Sequence, residues 1–193
     1  MMEMPCIFRE SSEGVLRYSI QDEMFANREI DCTGEINAES VNAIILQLRY
    51  LQKIAPDEEI TIYINSIGGE VSSGLALYDV MKAVSCPIRT VCLGLAASMG
   101  ALIFASGDKR ELLPHARIMI HDPLIRSGVS GSALMIDHFS KDLMKVREIT
   151  GKILAEHTGK TLKEIYKITA TDSYFDAGEA VKFGLADAII NKI

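Results

Sequence analysis

The stretch ITIYINSIGGEVSSGLALYDVMKAVSCPIRTVCLGLAASMGALIFA, residues 60–105, decides the fold. It opens with an apolar run rich in Ile and Tyr, residues 60–65, whose length and composition predict a buried strand. Gly68-Gly69 reads as a turn. Residues 71–84, with Leu75, Tyr78 and Val80, read as a helix that Cys86-Pro87 stops. A second apolar strand is expected over 88–93, then a turn of small residues and a helix from about Ser98 to Ala105.

The same alternation continues outward. Upstream, Asn37 or Ser40 can cap a helix in which Val41, Ile44, Ile45, Leu48 and Leu51 recur at helical spacing, until Pro56 and Asp57 break it. Downstream, a strand pair is expected around 111–113 and 117–121. The rhythm predicts an α/β fold with a mostly parallel sheet under covering helices, because parallel neighbours need crossover connections. Residues 132–157 then read as one long amphipathic helix. Phe139, Leu143, Val146, Ile153 and Leu154 are expected to face inward, and Lys141, Asp142, Lys145, Glu148 and Lys152 outward. Such a helix is either a projection that contacts another subunit or a simple cover for the core.

Composition narrows the class. A chain of 193 residues with 48% hydrophobic and 24% charged residues is long enough for one cored domain and too apolar for disorder. We expect a single domain over residues 1–193. The net charge of −6 lacks the basic footprint of a dedicated nucleic-acid binder. No stretch approaches the about 18 uninterrupted apolar residues of a membrane span, and MMEMPCIFRESSEG has no secretory pattern. The expectation is a cytoplasmic protein with neither a membrane nor a nucleic-acid partner. The four cysteines, Cys6, Cys32, Cys86 and Cys92, form no CxxC pair and have no histidine at ligand spacing, so they read as free thiols rather than a metal site.

Chemistry concentrates at the end of the 88–93 strand, in Gly94-Leu95-Ala96-Ala97-Ser98-Met99-Gly100-Ala101. Small neighbours let a substrate backbone approach Ser98. A strand-to-helix turn also sets that hydroxyl at a helix N-terminus, where free N–H groups favour an oxyanion. The spacing is not that of the G-x-S-x-G elbow, and Ser98 can equally be a plain helix cap. A nucleophilic serine needs a base. Of the four histidines, His138 and His157 lie on the long charged helix and read as solvated, and His115 follows Pro114 in a turn. His121 ends an apolar strand and is the best-placed base. Asp172 and Asp176 can each orient an imidazole or cap a helix, and spacing alone does not choose between them. Gly68-Gly69 can donate N–H groups to an oxyanion or simply turn the chain, and no Lys-Ser/Thr follows to make a phosphate loop.

Four blocks carry a resemblance: YINSIGGEV, GLAASMGALIFASG, KRELLPHARIMIHDP and EAVKFGLAD. Together they resemble the ClpP family, the serine peptidase subunits of ATP-dependent Clp proteases, from about residue 16 onward. The resemblance implies a ClpP/crotonase-type fold with a projecting handle, a strand plus the long helix, over about 122–157. Residues 1–15 would form an axial-loop-like segment. It implies a Ser-His-Asp triad in which Ser98 is the nucleophile, His121 the base and Asp172 the orienting acid. The oxyanion donors would be the backbone N–H groups of Gly69 and Met99, with Gly68 shaping the loop. It also implies heptameric rings stacked as a tetradecamer around a proteolytic chamber for unfolded proteins. Peptide hydrolysis would need no metal or organic cofactor, and ATP would be consumed by a partner AAA+ Clp unfoldase. The chain departs from the family pattern at Ile67 (commonly Pro), Asp122 (commonly Gln) and Thr171 (often Arg). Those departures motivate a second expectation, a weakly active regulatory or structural subunit that works beside a paralogous ClpP ring. They also place an extra carboxylate, Asp122, where it can compete for His121. A third expectation is a crotonase-like acyl-CoA enzyme, since that superfamily shares the architecture.

Overall fold

A computed structural model of the chain describes residues 5–193 apart from 13, 126, 127 and 129. Among the described residues the order is β1 (Cys6–Ser11), β2 (Gly14–Ser19), α1 (Ile20–Ala26), β3 (Glu29–Ile36), α2 (Ala38–Ile54), β4 (Ile60–Gly69), α3 (Val71–Ala83), β5 (Ile88–Ala97) and α4 (Met99–Ala105). There follow β6 (Lys109–Leu112), β7 (Arg117–Ile120), α5 (Ala133–Thr158), α6 (Leu162–Thr169), β8 (Ser173–Phe175), α7 (Ala177–Phe183) and β9 (Ala188–Ile189). The architecture is mixed α/β around a mostly parallel sheet, as the alternation predicts. Strands β3-β4-β5-β6-β9 pair in that order, all parallel, and β8 adds the antiparallel pairing, against β7.

Local chemistry accounts for the elements. Asn37 and Ser40 are not alternatives but the two halves of one capping box, each side chain bonded to the other's backbone N–H. The far end of α2 is held by Arg28, whose guanidinium donates to the carbonyls of Leu51 and Ala55 at the helix end and of Glu58 and Glu59 in the segment beyond it. The core is built from the apolar residues of β4 and β5, with Ile60, Ile62, Ile64 and Cys92 at 0% exposure, packed in one cluster with Leu48, Leu77, Ile103 and Phe104.

Three expectations are corrected. Gly68-Gly69 does not turn away from the sheet: both residues stay in β4, opposite Glu35 and Ile36, after a slip in register at Gly34/Glu35. The strands near 111 and 117 do not pair with each other. They share β5, which holds β6 along residues 89–92 and β7 along 95–97. This fork is the feature that builds the site. Finally, the long helix faces inward only over its second half. Ile153 and Leu154 are buried, and Leu143 and Val146 half-buried, whereas Phe139 is 49% exposed together with Leu134, Met135 and Ile136. At 1.5 Å per residue, 26 residues extend about 39 Å, and the first turns run past the body of the chain. The described residues between His121 and Ser132 form no strand, and part of that stretch lies outside the described residues. The described part of residues 1–15 is one strand and the start of a second in the β1–β2 hairpin, and the rest of it likewise lies outside them.

Candidate active site

The fork in the sheet brings two distant residues side by side. Register pairs Ala97 at the end of β5 with Met119 in β7, and the Ser98 N–H donates to the Met119 carbonyl at 2.8 Å. Ser98 therefore leaves β5 where β7 is about to end, and His121 is the first residue beyond β7. Its Nε2 lies 2.8 Å from Ser98 Oγ. The serine is no ordinary cap. It sits at φ 54, ψ −120, and its hydroxyl makes no capping bond to α4. A non-glycine residue at such φ is strained, and the strain turns this hydroxyl away from its helix and toward the imidazole.

Antiparallel pairing supplies the third group. Ile120 in β7 faces Ser173 in β8, so the residue preceding Ser173 falls opposite His121. That residue is Asp172, with Oδ1 3.3 Å from His121 Nδ1. A hydroxyl, an imidazole and a carboxylate thus stand in one row, the imidazole side chain 13% exposed and the carboxylate side chain 61% exposed. Asp176 takes the other possible role. Its carboxylate accepts from the Glu179 N–H at 2.8 Å and caps α7.

The loop beside Ser98 is equally specific. Gly68 has φ +87, and a Cβ placed on it would lie 2.7 Å from Ser98 Cβ and 2.6 Å from the Ala97 carbonyl oxygen, so only glycine fits. The Gly68 N–H is already given to Ser66 Oγ at 3.0 Å. Ile67, in contrast, is exposed. A small cavity of about 30 Å³ adjoins Ser98 and His121, walled by Val71, Met99, Leu102, Ile120, Pro123 and Leu154. These wall residues are not legible as a site beforehand, since each reads as ordinary core.

Asp122 does not compete for His121. Its carboxylate is taken by Arg147 on α5, Nε to Oδ2 at 2.5 Å, and by Thr169 Oγ1, which donates to Oδ1 at 2.6 Å. Of the other histidines, His115 and His138 are exposed. His157 is not solvated as expected. It is half-buried, stands edge-on to Tyr78 with ring centroids 5.9 Å apart, and has a buried Nε2 without a partner. Burial holds its imidazole below the ordinary value of 6.5, and the nearby Lys82 ammonium adds to that. The cysteines are free, and burial pushes Cys32 up to about 11 and Cys92 up to about 12, which leaves these thiols protonated and unreactive. Among the described residues no group of three or more His, Cys, Asp or Glu side chains could hold a metal ion, and no helix is long and apolar enough to cross a membrane.

A row of hydroxyl, imidazole and carboxylate beside a backbone-lined loop is the arrangement that acyl-transfer chemistry uses. The class it suits is a hydrolytic enzyme on an α/β sheet. The chain belongs to the Clp protease family: a family model of that description matches residues 12–193. The match takes in the hairpin's second strand, the whole sheet and all three groups of the row.

Proposed function

We propose that this chain is a serine endopeptidase subunit of an ATP-dependent Clp protease that hydrolyses peptide bonds of unfolded proteins inside a ring-shaped chamber. The observation that carries the reading is the 2.8 Å approach of His121 Nε2 to a strained Ser98 hydroxyl that caps nothing. In this mechanism His121 accepts the Ser98 proton as Oγ attacks the scissile carbonyl carbon. The resulting oxyanion takes hydrogen bonds from the N–H groups of Gly69 and Met99. The choice of Gly69 over Gly68 is supported by the Gly68 N–H being engaged with Ser66. Protonated His121 then delivers its proton to the leaving amine, and water enters to reverse the sequence on the acyl-enzyme. Asp172 holds the imidazole with Nδ1 protonated and stabilises the cation. The chemistry draws on no metal or organic cofactor, and a partner AAA+ unfoldase spends the ATP.

Ring assembly is part of the proposal. Leu134, Met135, Ile136, Phe139 and Met144 are all exposed on α5, and that much exposed apolar surface on one helix marks a contact surface, here with further copies of the chain in heptamers stacked as a tetradecamer. A second reading, a weakly active subunit that needs a paralogous ring, is favoured by the exposure of Asp172 and its longer 3.3 Å contact. The test is turnover of short fluorogenic peptides combined with native mass measurement. Cleavage by the purified chain that disappears in Ser98→Ala supports the leading reading. Activity that arises only on mixing with a partner ring supports the second, and undiminished cleavage in Ser98→Ala contradicts both.

A further inference from the structure

Asp122, the residue after His121, bears on the same site, given that Ser98, His121 and Asp172 act as proposed. Asp172 lies on a short, exposed link between α6 and β8, so its position against His121 has to be imposed from elsewhere. Asp122 is joined to that link twice. Its N–H donates to the Thr169 carbonyl at 2.7 Å, and its Oδ1 receives the Thr169 hydroxyl at 2.6 Å. Thr169 closes α6 only three residues before Asp172. The other carboxylate oxygen is bonded by Arg147 from α5, and the Arg147 guanidinium lies 3.8 Å from the centroid of the Tyr166 ring of α6. Both charged side chains are largely withdrawn from water, at 23% and 30% exposure, which strengthens the pair over a surface contact.

We infer that Asp122 and Arg147 are positioning residues: Asp122 ties the strand end that carries His121 to the α6 end that precedes Asp172, and its ion pair with Arg147 anchors both to the long helix. Neither residue touches the reacting atoms. They fix the separation between imidazole and carboxylate, and through α5 that separation depends on how the helix is seated.

The experiment measures the rate at which a fluorophosphonate probe labels Ser98 in the purified full chain for wild type, Asp122→Ala, Arg147→Met, Arg147→Lys and Lys152→Met. Lys152 pairs with Glu148 on the exposed face of the same helix and serves as the control. Loss of either partner is expected to slow labelling by about 10²-fold, the scale of a small misplacement of a catalytic group. Arg147→Lys should recover part of the rate, and Lys152→Met should change nothing. Slow labelling in only one of Asp122→Ala and Arg147→Met, with wild-type labelling in the other, overturns the inference, because both partners serve one tie. So do wild-type rates in both variants. If thermal melting shows either single variant unfolded, the paired change Asp122→Leu with Arg147→Met removes both side-chain links without leaving a lone charge and decides the matter by the same readout. Absence of label in wild type overturns the catalytic reading and this inference together, whereas a labelled wild type with unaltered variants overturns this inference alone.

Discussion

The regions around His121 and His157 make an instructive pair. Both imidazoles follow apolar segments and both are shielded from water, yet one has partners on both ring nitrogens and the other leaves Nε2 buried and unmatched. At His121 a hydroxyl and a carboxylate converge from two other segments, so the ring can take a proton on one side while the other side compensates the charge. At His157 burial and the Lys82 and Arg110 cations discourage protonation more than the Glu156 and Asp108 carboxylates favour it. Residue type is therefore not what separates an imidazole held between two partners from one left unmatched. The difference lies in whether long-range pairing brings complementary groups to both nitrogens.

The comparison breaks if His121 is dispensable. His121→Ala should lower peptide turnover by about 10⁶-fold, the size of loss seen when the base of a triad is removed. Residual activity near wild type would make the two imidazoles equivalent. Next in size, Asp172→Asn should cost about 10⁴-fold in kcat through the wrong imidazole tautomer, while Asp176→Ala leaves kcat alone and lowers thermal stability by about 1 kcal/mol for a lost cap. Steady-state kinetics and melting curves on the two variants distinguish the carboxylates cleanly. Gly68→Ala should follow, with about 1–3 kcal/mol of backbone strain and a collision with Ser98 that suppresses turnover. The smallest effect belongs to His157. Its folded imidazole resists protonation, so the unfolded chain binds the proton first and stability falls as pH drops below 6.5. His157→Leu should abolish that part of the decline, read as a flatter dependence of Tm on pH. An unchanged slope would mean His157 is protonated as easily in the fold as outside it.

Much of this was legible in residue order because it is local. Small residues around Ser98, an apolar run ending at His121 and helix punctuation at Asn37 and Pro87 are short-range signals, and the sheet and the position of the serine follow from them. Asp172 and Asp176 were separable by the family resemblance but not by pattern, since both precede short elements and both suit a cap. What divides them is the antiparallel register of β8 on β7, a pairing across some fifty residues that no window contains. Asp122 illustrates the same limit. Adjacency to His121 suggests interference, whereas the side chain points to Arg147, one of several charges on α5 with nothing in its spacing to mark it. Phe139 shows a different limit. Helical periodicity identifies the apolar face of α5 but not how far the rest of the chain reaches along it.

Whether Ser98 and His121 work as one unit is decided by a double-variant cycle. Turnover of a fluorogenic peptide is measured for wild type, Ser98→Ala, His121→Ala and the combined variant under one set of conditions. Groups that act together are grossly non-additive, so the combined variant should be no slower than either single one. Losses that multiply in the combined variant would mean the hydroxyl and the imidazole contribute separately, and would contradict the account.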